Sequence, residues 1–83
     1  MECHSQVYYI VKRIDPAVGP YGLYLNLIRD STGHERFEFT SSHKNASYLD
    51  ERTAYEKLHS CRLHFDGTYA VKKLRVDYTI SDP

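Results

Sequence analysis

Residues Asp50 to Arg62 (DERTAYEKLHSCR) are the only stretch whose apolar side chains recur at helical spacing, and the rest of the chain has to fold around them. Ala54, Leu58 and Cys61 fall at i, i+4 and i+7, with Tyr55 and Arg62 flanking the stripe. Asp50 is placed to accept a hydrogen bond from the free amides of the first turn, and Glu51 complements the positive end of the helix dipole. Lys57, His59 and Arg62 lie toward the other end, where positive charge is favoured. So narrow a stripe needs one surface to pack against, and the flanking sequence offers a sheet.

Ser5 to Arg13 is rich in β-branched and aromatic residues and reads as a first strand, with Val7, Tyr9 and Val11 on one face and Tyr8, Ile10 and Lys12 on the other. Ile14 to Gly22 contains Pro16, Gly19, Pro20 and Gly22, the marks of a structured loop and a candidate contact loop. In a second strand, Leu23 to Arg29, Leu23, Leu25 and Leu27 alternate with Tyr24, Asn26 and Ile28. Asp30-Ser31-Thr32-Gly33 supplies a hairpin turn. His34 to Thr40 follows as an edge strand whose strongly apolar residues are Phe37 and Phe39. Before the helix, Tyr48 or Leu49 is placed to act as a hydrophobic staple.

After a turn at Phe65-Asp66-Gly67-Thr68, a fourth strand runs from Tyr69 to Ile80. Its pattern changes phase. Leu74, Val76, Tyr78 and Ile80 alternate cleanly, yet Val71 lies three residues before Leu74. A β-bulge at Lys72-Lys73 would bring Val71 onto the face of Leu74; otherwise Val71 faces outward with Tyr69. The order β-β-β-α-β predicts a single α+β domain over residues 1–83, a mostly antiparallel four-stranded sheet in the order 3-2-1-4 with the helix on one face. The helix returns the chain, so the fourth strand can run parallel to the first, and the order 3-2-1-4 follows if that crossover is right-handed and the strand takes the free edge beside the first. The expected core is Val7, Tyr9, Val11, Leu23, Leu25, Leu27, Phe37, Phe39, Leu74, Val76 and Tyr78 against the helix stripe.

Charge narrows the function. Eleven basic and eleven acidic side chains balance, which argues against a dominant nucleic-acid footprint and against an acidic mimic of DNA. Cys3 and Cys61 make no disulfide framework, the start MECHS lacks the features of a secretory leader, and no apolar run has membrane-spanning length. A cytoplasmic protein without membrane contact is expected. His59, Cys61 and His64 cluster, but without the closed ligand set of structural zinc, and Cys61 reads as a core residue. No serine-centred elbow or phosphate-cradling glycine loop occurs. The expectation is a non-enzymatic chain with no cofactor and no metal.

Two surfaces remain. One helix covers one side of a sheet, so Tyr8, Ile10, Tyr24 and Ile28 on the other side form a candidate partner-binding centre. Lys12, Arg36, Glu38 and Arg75 are expected around it, with the loop residues Tyr21 and Tyr48 as further contacts. A homodimer or a different protein would cover this face, and strand addition at a sheet edge is a second route. The alternative is single-stranded nucleic acid, held by Lys12, Arg13, Lys72, Lys73 and Arg75 with Tyr8, Tyr24 and Tyr69 as stacking platforms.

The layout as a whole, with Ala46-Ser47-Tyr48-Leu49-Asp50-Glu51, Ala54 and Leu58, then Gly67-Thr68-Tyr69-Ala70-Val71-Lys72-Lys73-Leu74, resembles small accessory proteins encoded by bacteriophages. These include some anti-CRISPR proteins and other inhibitors of host systems. The similar segments cover under half of the chain, and no shared motif transfers a functional residue. The resemblance implies binding without turnover, a host protein or complex as partner, and the host cytoplasm as the place of action.

Overall fold

In the computed structural model, which describes residues 1–83, Asp50 caps the helix α1 (Glu51–His64) by accepting the Thr53 amide at 2.7 Å. Ala54, Leu58 and Cys61 are its buried residues, as their spacing requires. The strands are β1 (Glu2–Arg13), β2 (Leu23–Arg29), β3 (Glu35–Thr40) and β4 (Tyr69–Ile80), with 3₁₀ turns at Pro16–Val18 and His43–Asn45. They form one antiparallel sheet in the order β3-β2-β1-β4, an α+β fold with the helix between β3 and β4. β1 begins at Glu2 rather than Ser5, and α1 continues to His64.

Local chemistry makes the turns. Asp30 Oδ1 accepts from the amides of Thr32 (2.9 Å) and His34 (3.0 Å) and from the Thr32 hydroxyl (2.7 Å), while Gly33 adopts φ +85°. That conformation suits a residue without Cβ. Gly22, at φ +70°, has no room for a side chain because a Cβ there would overlap the Arg13 carbonyl.

β4 runs antiparallel to β1, where a parallel crossover was expected. Its register is continuous through twelve pairs from Glu2↔Ile80 to Arg13↔Tyr69. The β3–α1 connection explains the direction. It returns along the sheet, and Leu49 exchanges backbone hydrogen bonds with Tyr9 at 2.8 and 2.9 Å, so α1 starts beside the middle of β1. The helix then leads back to the Arg13 end, where the Ile14 amide donates to the Thr68 carbonyl at 2.8 Å and β4 begins. One additional passage of the chain reverses the strand that follows.

An unbroken register leaves no bulge at Lys72-Lys73. Antiparallel partners share a face, so Tyr69 and Val71 stand with Val11 toward α1, while Leu74, Val76, Tyr78 and Ile80 point away from it. The phase change is a change of face. Leu74, Val76 and Tyr78 therefore lie outside the helix-packed core, and Tyr69, which faces outward in the expectation without a bulge and as a stacking platform, is inside it. That core is Val11, Leu25, Ala54, Leu58, Cys61 and Tyr69, bordered by Tyr9, Leu27, Phe37, Phe39, Leu49 and Val71. Leu23 is half-buried outside the cluster, and Val7 is 46% exposed.

β1 and β2 pair only at Lys12↔Tyr24 and Arg13↔Leu23. Below that point Ala46–Leu49 runs between them. The Ser47 amide donates to the Leu25 carbonyl at 3.0 Å, and the Leu27 amide donates to Ser47 Oγ at 2.8 Å. This inserted segment satisfies backbone groups that the divergence of the strands would leave unpaired. The far halves of β1 and β4 continue as a two-stranded ribbon. The radius of gyration, 14.8 Å, and the longest extent, 47 Å, reflect it; a compact chain of this length would have a radius near ~12 Å.

Candidate protein-binding face

The sheet face turned from α1 has two parts. On β2 and β3 it presents Tyr24, Asn26 and Ile28 opposite Thr40, Glu38 and Arg36. Arg36 and Glu38 form an ion pair at 2.8 Å. Lys12, paired in register with Tyr24, holds its ammonium 5.2 Å from the Tyr24 ring centroid, and His43 meets the same ring edge-on at 6.4 Å. These contacts give Tyr24 a fixed, cation-bearing surround.

Ile10 does not lie open on this face. Pairing of Tyr9 with Leu49 sets Tyr48 alongside Ile10, the Tyr8 and Tyr48 rings stand 5.2 Å apart, and Ile10 is only 5% exposed. The inserted segment covers it. Tyr48, 41% exposed, takes its place as the outward aromatic group.

The second part is the ribbon. Leu74, Val76, Tyr78 and Ile80 lie opposite Tyr8, Gln6, His4 and Glu2. Tyr78 stacks on His4 at 5.1 Å, and the Tyr8 hydroxyl donates to Gln6 Oε1. Leu74 and Val76 are half-buried, Tyr78 is 39% exposed and Ile80 52%. A free-standing pair of strands is marginal in water, and an apolar stripe along one side adds surface that favours a cover. The alternation is the one expected from the residues, but it lies on the face turned from α1 and not on the helix side. The three-residue step from Val71 to Leu74 was the available signal.

The basic residues separate. Lys12 and Lys72 share the face turned from α1, whereas Arg13, Lys73 and Arg75 belong to the helix side. Arg75 is consequently not part of the rim around Tyr24 and Ile28; its Nε is 3.0 Å from Asp77 Oδ1. Arg13 is committed to Asp15, with Nε 2.7 Å from Oδ1, and Thr68 donates its amide to the same oxygen at 3.1 Å. The Arg13 hydrogen bond holds the Asp15 carboxyl below its ordinary pKa. Tyr69 is buried, with its hydroxyl on the Asp66 carbonyl, so it offers no stacking surface. Tyr21, in the loop before β2, is 82% exposed.

Among the other reactive groups, Cys61 lies in the core with its thiol pushed up to about 11 by burial, and Cys3 is exposed. His59 and His64 are exposed, and no group of three or more His, Cys, Asp or Glu side chains is arranged to hold a metal ion. No helix is long and apolar enough to cross a membrane. Beside β3, two open concavities of about 530 and 420 Å³ meet at Phe37 and Phe65, whose rings stack at 5.9 Å; no motif in the sequence marks them. No family model, characterised protein or solved structure matches the chain.

Proposed function

We propose that this chain is a non-enzymatic protein-binding domain that acts by occupying a partner's surface with the sheet face turned from α1. Its centre is the ribbon stripe Leu74, Val76 and Tyr78 together with Tyr8 and Tyr48; Tyr24, Ile28, Lys12, Lys72 and Arg36 extend it. The observation that carries this reading is the apolar stripe on a ribbon that leaves the body uncovered, with only nine of 83 residues buried. A core that small gives the ribbon little support from within the chain. Aromatic and aliphatic side chains ringed by Lys and Arg have the composition of an interface centre and rim. Through the resemblance to phage-encoded inhibitors, the partner is a host protein or complex in the host cytoplasm, and inhibition follows from steric exclusion.

The test is affinity capture from host lysate with wild type, Leu74→Asp, Tyr78→Asp and, on the exposed side of α1, Tyr55→Asp. Wild type and Tyr55→Asp should retain the same protein, and both ribbon variants should lose it while keeping the wild-type circular dichroism. Retention by correctly folded Leu74→Asp and Tyr78→Asp would refute the assignment of the face.

A further inference from the structure

β4 ends the sheet, and its outer edge has no partner strand. It is the edge least protected against pairing. β3, the other end, is six residues long and carries Glu35, Arg36 and Glu38. β4 extends for twelve residues without Gly, Pro or a bulge, and the features that usually blunt an edge are reduced to the charged side chains of Lys72, Lys73, Arg75 and Asp77.

We infer that a second copy of this chain pairs with β4, antiparallel and edge to edge, about a two-fold axis through Val76. In such a pair, directly opposed residues share a face, so the axis must pass through a residue, and each choice of residue brings different side chains together. With Val76 on the axis, Arg75 faces Asp77 of the second copy and Asp77 faces its Arg75, so the Arg75–Asp77 pair made within each strand at 3.0 Å meets its mate in an alternating four-charge cluster on the helix side. On the other side Leu74 faces Tyr78, Val76 faces Val76 and Tyr78 faces Leu74. Lys73 meets Thr79 and Lys72 meets Ile80, so no two basic groups oppose each other.

Neighbouring registers lack this match. Arg75 on the axis would set the two guanidinium groups against each other, and Asp77 on the axis would do the same with two carboxylates. Leu74 on the axis would oppose Lys73 and Arg75. Like charges directly opposite destabilise a pair, whereas opposite charges and apolar pairs stabilise it. The bodies do not compete for space, because Tyr69 is about 23 Å along the strand from Val76 and the two copies extend in opposite directions. The result is one eight-stranded sheet in which the two ribbon stripes lie side by side. Its use as a doubled binding face rests on the function proposed above; the pairing itself does not.

Sedimentation of the full chain over the micromolar range tests the pairing. Wild type should sediment as a dimer. Arg75→Asp and Asp77→Arg should each weaken association about tenfold or more, and the combined Arg75→Asp/Asp77→Arg variant should restore it. Thermal melts of each variant establish that the subunit still folds. As an independent readout, oxidised Cys3→Ser/Val76→Cys should yield a covalent dimer and Cys3→Ser/Leu74→Cys should not, because only the axial position meets itself. A monomeric wild type, a dimer indifferent to both single changes, a combined variant as weak as the single ones, or equal crosslinking at the two positions would overturn the inference. A monomer that still captures a partner through Leu74 and Tyr78 removes the dimer alone. A dimer that captures nothing removes the binding-face reading alone.

Discussion

Replacing Ser47 by Ala should loosen the insertion that shapes the candidate face. The Ser47 hydroxyl accepts the Leu27 amide at 2.8 Å, in a half-buried position where β2 has already parted from β1. Removing one partner of a buried hydrogen bond costs about 1–3 kcal/mol, mostly from the group left without a partner. Water reaches a half-buried amide in part, which places the expected loss at roughly 1–2 kcal/mol, a factor of about 5–30 in the equilibrium concerned. Amide hydrogen exchange reads it residue by residue: Leu27 should lose protection by about that factor. Tyr9, whose amide donates to the Leu49 carbonyl, should follow in part because the same segment holds it. The Lys12 amide, which by alternation with Tyr9 faces β4 rather than the insertion, should change only as far as global stability falls. Unchanged protection at Leu27 would show that the hydroxyl does not hold β2 to the insertion, and the account of how Ile10 is covered would fail with it.

Three further outcomes follow from the same structure. Leu58→Ala empties the middle of the helix–sheet contact and should cost about 3 kcal/mol by urea denaturation; exposed Leu63→Ala should stay within about 0.5 kcal/mol, and equal effects would contradict the packing described. Hydrogen bonds from Arg13, Thr32 and the Thr53 amide lower the pKa values of Asp15, Asp30 and Asp50 respectively, so each contributes stability present above the unfolded value of about 3.9 and lost as pH falls through the lower folded value. The urea midpoint should therefore drop on acidification below about pH 4, less steeply in Asp15→Asn, and a midpoint flat down to strongly acid pH would refute this. Of the two thiols, exposed Cys3 should react promptly with a disulfide reagent at mildly alkaline pH, while Cys61, buried with its pKa pushed up to about 11, should react only after unfolding. Rapid labelling of both in the native protein would place Cys61 outside the core.

Much of the local structure is legible in the residues because short-range chemistry produces it. The Asp50 cap, the Ala54–Leu58–Cys61 stripe, the Asp30–Gly33 turn and the limits of β2 and β4 depend on neighbours a few positions away. The placement of Tyr8, Tyr24, Ile28, Lys12 and Arg36 on the face turned from α1 also follows from alternation, since the period-two rule assigns each residue a side. Alternation is silent on which side another part of the chain will cover. Ile10 has the pattern of an exposed residue and is buried because Ala46–Leu49, far away in sequence, lies against it.

The strand β4 shows the division most clearly. Its residue order determined a twelve-residue strand whose apolar side chains change phase between Val71 and Leu74. That step is compatible with a bulge that keeps one face or with an unbroken strand that uses two, and the difference between them is whether one residue of the partner strand faces one residue or two. Only the pairing with β1 settles it: the continuous register turns Tyr69 and Val71 into the core and Leu74, Val76 and Tyr78 away from it. Direction, register and cover are relations between segments distant in sequence. Local propensity therefore specified the helix and strands, and their assembly assigned the sides on which a partner can be met.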